Sequence, residues 1–110
     1  MSYQIHITSA AEQDLINATD HIEYVLKNPK AADDLLLEAE KQINNLSNFP
    51  EKHKLVDESI LSSWGIRFIV INNYLAFYTI DSDKNLVIIL RFLFQKSNWS
   101  AILHGGISFN

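Results

Sequence analysis

Between Trp64 and Trp99 the chain carries three apolar runs, Gly65 to Ile71, Tyr74 to Ile80 and Leu86 to Phe94, separated only by short polar gaps. Runs this short, rich in isoleucine, valine, phenylalanine and tyrosine, read as strands. Asn72-Asn73 closes the first pair, because asparagine tolerates positive φ better than other non-glycine residues and a two-residue hairpin turn requires it. Asp81 to Asn85 is the second turn. Connections this short leave no room for a crossover, so the three strands must form an antiparallel meander. The rest of the chain has to cover it.

The first turn sets a register. With Ile71 opposite Tyr74, Val70 pairs with Leu75, Phe68 with Phe77 and Arg67 with Tyr78. Side chains alternate, so one face carries Ile66, Phe68, Val70, Leu75 and Phe77, and the other Arg67, Ile69, Ile71, Tyr74, Ala76 and Tyr78. A four-residue loop, Ser82 to Asn85, puts Arg91 on the second face opposite Ala76, since a one-residue slip would flip every side chain. Arg67 and Arg91 are the only arginines in the protein.

Upstream, Tyr3 to Thr8 alternates as a half-buried strand. Ser9 to Glu12 fits a capping box opening a helix, with Ala11, Leu15, Ala18, Ile22, Val25 and Leu26 at helical spacing and Glu12, Asp14, Asp20 and Glu23 between them as its solvated face. Asn28-Pro29 ends that helix and starts another, because proline disfavours helical geometry before it yet suits the first helical position. Ala32, Leu35, Leu36, Ala39, Ile43 and Leu46 line the second helix, and Phe49-Pro50 closes it. Glu51 to Ser63 has no period and reads as an irregular connection. Ser97-Asn98 opens a last short helix through Leu103. The expected fold is α+β: β-α-α-β-β-β with a short terminal helix, a four-stranded antiparallel sheet in the order 1-2-3-4 packed on an N-terminal helical hairpin. It makes one domain over residues 1–104, with a flexible tail at 105–110. Phe68 and Phe77 are expected beneath the helical hairpin. The second sheet face is apolar too, and one hairpin cannot cover both, so a partner chain is expected there.

Composition removes several classes. There is no cysteine, hence no disulfide and no thiolate nucleophile or metal site. The longest unbroken apolar run, Leu86 to Leu90, is too short to span a bilayer, and the start MSYQIHITS lacks the regions of a signal peptide, so a cytoplasmic location with no membrane contact is expected. Net charge is −4, with eight acids against three lysines in residues 1–50 and five acids against six basic residues in 51–110. That balance argues against broad nucleic-acid binding and leaves room for a local basic patch. Asp33, Asp34, Glu38 and Glu40 read as a solvated helix face, and neither histidine pairs at ligand spacing nor a glycine-rich phosphate loop occurs, so no metal and no cofactor is expected.

In the segments YQIHITSAAEQDL, NPKAADDLLLEAEKQINNLSNFP, GIRFIVINNYLAFYTID and ILRFLFQKSNWSAIL, the chain resembles the RelE/ParE superfamily of bacterial toxins from type II toxin–antitoxin systems, over nearly its full length. It looks closer to the ParE-like branch, whose members were named plasmid stabilisation proteins. The resemblance implies the fold argued above, a cognate antitoxin that wraps the toxin, and operator DNA bound only through that antitoxin. It also implies one of two targets, DNA gyrase or ribosome-bound mRNA.

For a RelE-like ribonuclease, Arg67 and Arg91 match the family's strand arginines, and Lys52 and Lys54 resemble its lysines before the sheet. Cleavage also needs one group to activate the 2′-hydroxyl and another to protonate the leaving oxygen. Where family members carry a histidine or aromatic residue, then two basic residues before Asp-Trp, this chain reads Phe94-Gln95-Lys96-Ser97-Asn98-Trp99. His53 and His104 lie nearby in sequence at non-matching positions, so the catalytic residues stay unassigned. A gyrase poison needs binding surface alone. Gyrase inhibition is therefore the expected function, with Lys52, Lys54, Arg67, Arg91 and Lys96 as target-binding residues and Ile69, Ile71, Tyr74 and Tyr78 as antitoxin-binding residues. The alternatives are a RelE-type endoribonuclease, an independent metal-free ribonuclease, or a degenerate toxin retained for antitoxin binding. On the residues alone, the two arginines also read as strand residues with solvated heads, the lysines as solvated loop charges, the tyrosines as core edge, and Trp99 as an anchor for the last helix.

Overall fold

The computed structural model describes residues 2–110. Strand β1 (Gln4–Ile7) leads into α1 (Ser9–Asp20), whose last turn widens into a π-helix at His21–Val25. The N-cap is Thr8, one residue before the Ser9 expected from the capping box; its hydroxyl accepts from the Ala11 N–H and lies 2.8 Å from the Ile89 carbonyl oxygen. Thr8 is fully buried and ties the β1–α1 corner to the sheet. Helix α2 (Pro29–Asn44) starts as expected, with the Asn28 side chain capping Ala31 N–H and Pro29 at the first helical position. After two 3-10 turns (Asn45–Ser47 and Pro50–Lys52) and the short α3 (Ser59–Ser63) come β2 (Arg67–Ile71), β3 (Tyr74–Asp81), β4 (Leu86–Phe94) and α4 (Trp99–His104).

The β2–β3 register is the one the Asn72-Asn73 turn dictates, Arg67 opposite Tyr78 through Ile71 opposite Tyr74, and Asn72 takes φ +54°. The four-residue loop is also present, with Asp81 opposite Leu86. A β-bulge then intervenes: Tyr78 pairs with Ile89 but Phe77 with Arg91, leaving Leu90 as the extra residue. Arg91 is therefore opposite Phe77 and not Ala76.

Strand order differs from the expected 1-2-3-4. It is β1-β4-β3-β2, and β1 runs parallel to β4, so the sheet is mixed. Residues 45–66 carry the chain past the sheet before β2 begins, which places β2 at the far edge; the meander then brings β4 back beside β1. The pattern is physically consistent: Val87 to Leu90 are all buried, as a central strand demands, whereas β1 is short and half-buried, as suits an edge.

The two faces are also exchanged relative to expectation. The helical hairpin packs on Ile69, Ile71, Ala76, Tyr78, Val87, Ile89 and Phe92, and Phe68 and Phe77 lie on the other face. Size explains the choice. Ala11, Ala18, Ala39 and Ala76 let long helices approach the sheet closely, and the bulky Phe77 is left to meet the Trp99 ring, 5.2 Å away on the six-residue α4. Leu61 of α3, Leu103 of α4 and Ile107 complete that second layer. The chain itself covers the face for which a partner was expected.

Candidate target-binding and antitoxin-binding surfaces

The segment Pro50–Lys54 is held against β2 and β3 from three directions. The Tyr78 hydroxyl donates to the Pro50 carbonyl at 2.6 Å, the Tyr3 hydroxyl to the Glu51 carboxylate at 2.8 Å, and the Arg67 guanidinium to the Glu51 and His53 carbonyls at 3.1 and 2.6 Å. Tyr78 is wholly buried, and its phenol is pushed up to about 12, burial being the main cause. Phe49 enters the segment at φ +55°, ψ +58°, a conformation that costs a bulky side chain about 1–2 kcal/mol. The strain is tolerated because three hydrogen-bond anchors determine where the next residues go.

This clamp presents Lys52 and Lys54 outward, both exposed, beside a cleft of about 280 Å³ lined also by Gln42, His53 and the β2 residues Phe68, Ile69 and Val70. Burial, with Lys52 and Arg67 nearby, pushes the His53 imidazole below its ordinary value, which favours the neutral ring.

Arg91 is elsewhere engaged. Its Nε and Nη2 donate to the two carboxylate oxygens of Asp14 on α1, at 2.6 and 2.8 Å, and the Phe92 N–H donates to the same carboxylate at 3.0 Å. The pair is largely sequestered, with side-chain exposures of 27% for Arg91 and 11% for Asp14. Of the five target-binding candidates, Lys52, Lys54 and Arg67 are thus brought together, Arg67 as the clamp. Arg91 is tied to a helix, and Lys96 sits exposed in the turn after β4. Asp14, expected on the solvated face of α1, instead turns to the sheet. Its spacing held the signal: it lies three residues after Ala11 and four before Ala18, on the helix face that meets the sheet.

The antitoxin-binding candidates need correction. Ile69, Ile71 and Tyr78 are 5%, 1% and 0% exposed beneath the helical hairpin, so they offer no open surface. Tyr74 alone remains half-buried at an accessible place, stacked on Phe92 with ring centroids 5.0 Å apart. There it lines a groove of about 640 Å³ with His21, Ile22, Leu26, Asn28, Ala31, Asn73 and Phe94, where the π-helical turn meets the sheet end. Tyr24, Val25 and Leu26 beside it are each at least 60% exposed. Single exposed apolar residues are ordinary, but a cluster around a groove marks an interaction surface.

Among the described residues, no helix is long and apolar enough to cross a membrane, and no group of three or more histidine, aspartate or glutamate side chains is placed to hold a metal ion.

A model of the family described as the ParE toxin of type II toxin-antitoxin system, parDE, matches residues 5–99. Among solved structures, a chain of the chromosomal ParDE toxin–antitoxin system from P. aeruginosa superposes with a TM-score of 0.69 at 18% identity, over 84% of this chain and 96% of that one. A chain of the toxin–antitoxin complex RelBE2 from Mycobacterium tuberculosis gives a TM-score of 0.58 at 21% identity, over 86% and 99%. At these identities the likeness is one of fold. Comparison with curated proteins finds no match.

Proposed function

The chain belongs to the ParE toxin family of type II toxin–antitoxin systems, and from that premise we propose that it inhibits DNA gyrase and is neutralised by a cognate antitoxin. The observation that carries the gyrase reading is the engagement of both strand arginines: Arg91 by Asp14, Arg67 by the Glu51 and His53 carbonyls. A guanidinium held in this way is poorly placed to follow charge developing on a scissile phosphate. Inhibition by binding asks for surface alone, and Lys52, Lys54 and Lys96 supply exposed cations for it.

The antitoxin is carried over from the two structural relatives, which come from toxin–antitoxin systems. We place its docking at the groove between the π-helical turn and the sheet end, where Ile22, Leu26, Tyr74 and Phe94 suit the apolar face of an amphipathic helix. Contact with operator DNA runs through the antitoxin.

One observation favours a second reading, ribosome-dependent mRNA cleavage: an imidazole, His53, lies between Lys52 and Lys54 on one cleft. Primer extension on translated mRNA after induction, run beside a supercoiling assay with purified gyrase, separates the two. Loss of supercoiling without new mRNA ends is expected. Cuts within ribosome-bound codons would overturn the gyrase reading.

A further inference from the structure

The sheet face opposite the helical hairpin holds a cavity of about 240 Å³ beneath the chain's last residues. Its floor is apolar and fixed: Ile66 on the approach to β2, Leu90 on β4 and Leu103 on α4 are each no more than 2% exposed. Its outer wall is Gly106, Ile107 and Phe109, which lie beyond the stretch 5–99 that the family model matches. Gly106 turns the chain there at φ +142°, a value that side chains rarely adopt. The far end of this wall is held by two long hydrogen bonds, from the Ser9 N–H and hydroxyl to the Asn110 carbonyl oxygen, both at 3.4 Å. A fixed floor under a lightly fastened wall is a cavity with an entrance.

The lining narrows the class of occupant. Trp64 and Phe109, 50% and 57% exposed, stand at the mouth with His104, whose ring centroid is 5.9 Å from that of Trp64. A flat aromatic ring meets favourable partners there. The Thr79 hydroxyl donates to the Gly65 carbonyl at 3.4 Å, which leaves its oxygen free to accept. Behind the rim, His104 Nε2 lies 2.9 Å from the Glu58 carboxylate. The Leu61 N–H, and with it the Ile60 N–H, holds that carboxyl below its ordinary value, so a negative charge stands beside the entrance. An anionic ligand would meet that charge, and a neutral one would not. An apolar cavity of ~150 Å³ already takes benzene, so this one has room for two fused rings.

We propose that this cavity binds a small, flat, uncharged aromatic molecule carrying an N–H group, of the indole class, with residues 105–110 as its movable wall. The ring rests on Ile66, Leu90 and Leu103, and its N–H donates to the Thr79 hydroxyl oxygen. A peptide helix or strand is too large for the space. The cavity shares no lining residue with the groove assigned to the antitoxin or with the Lys52–Lys54 cleft, so the proposal rests on no part of the gyrase reading.

The test titrates indole into the full chain with isotope-labelled methyl groups and follows it by NMR. Saturable binding is expected, with a dissociation constant on the order of 0.1–1 mM for a ligand this small. Intermolecular NOEs should run from the ring protons to the methyls of Ile66, Leu90 and Leu103. Indole-3-acetate, the same ring with a carboxylate, should bind at least about tenfold more weakly. Thr79→Val keeps the shape of the side chain and should weaken indole about two- to tenfold, while N-methylindole, which has no N–H to donate, binds both chains alike. Ile107→Trp fills the cavity from the wall and should abolish binding without lowering the thermal midpoint. If that side chain turns outward instead, the NOEs to the native chain still decide. Absence of those NOEs at saturating indole, or equal affinity for indole and indole-3-acetate, would overturn the proposal.

Discussion

Arg91 on β4 and Asp14 on α1 hold each other in a two-point fork, with Nε and Nη2 of the arginine 2.6 and 2.8 Å from the two carboxylate oxygens. The contact joins residues 77 positions apart and docks the first helix at the sheet's bulge. Removing one partner leaves the other charge part-buried. Asp14→Ala or Arg91→Ala should each cost about 2–4 kcal/mol, below the range for wholly buried pairs because Arg91 is partly solvated. The double variant Asp14→Leu, Arg91→Met should cost clearly less than the sum in denaturant titration. It also separates roles: if the toxin acts by binding gyrase through its lysines, the double variant still inhibits supercoiling, whereas Arg91→Ala alone loses activity with its fold.

Phe77 is wholly buried between Phe68 and Trp99, on the face opposite the helical hairpin. Phe77→Ala should cost about 3–5 kcal/mol, and amide protection should fall first in α4, which packs through Trp99, before it falls in α1 or α2. Equal loss in all three helices would contradict the two-cluster division of the core.

Tyr78 makes stability fall at alkaline pH. Its folded value of about 12 lies above the ordinary 10, so the neutral phenol is favoured by the fold. The stability it contributes is complete below pH 10 and is lost as pH rises from 10 through 12, by at most about 2.7 kcal/mol. Tyr78→Phe removes the donor to Pro50 and should cost about 1–2 kcal/mol at pH 7. Its stability curve above pH 10 should be flatter than that of the parent chain. Parallel curves would mean another group is responsible.

Phe49 is 69% exposed and left-handed, so its side chain contributes little burial and its backbone bears strain. Phe49→Gly should leave stability unchanged or raise it by about 0.5–1 kcal/mol, the relief outweighing the greater freedom of the unfolded chain. A loss above 1 kcal/mol would show that the ring packs in solution.

Leu26 and Phe94 are 60% and 43% exposed on the groove assigned to the antitoxin. Leu26→Ser with Phe94→Ser should shift folding stability by no more than about 0.5 kcal/mol per site, as surface substitutions do. Calorimetric titration should show the antitoxin bound at least about tenfold more weakly. Full affinity in the double variant would move the antitoxin to another face.

What the sequence determined by itself was local. Asn72-Asn73 specified a two-residue turn and with it the β2–β3 register, Asn28-Pro29 specified a helix boundary, and the five-residue gap at Asp81 to Asn85 specified a second turn. Each follows from φ preferences or side-chain periods readable within a few residues. Strand order, the face chosen by the helical hairpin, the bulge at Leu90 and the partners of both arginines were decided only in three dimensions. Both sheet faces are apolar, so alternation could not say which one the helices take; the fit of Ala76 against Ala11, Ala18 and Ala39 settles it. Arg67 and Arg91 stand out in the sequence as the only arginines, but a charge does not reveal its partner. Asp14 and the His53 carbonyl reach them from 77 and 14 residues away, distances that only the packed chain closes.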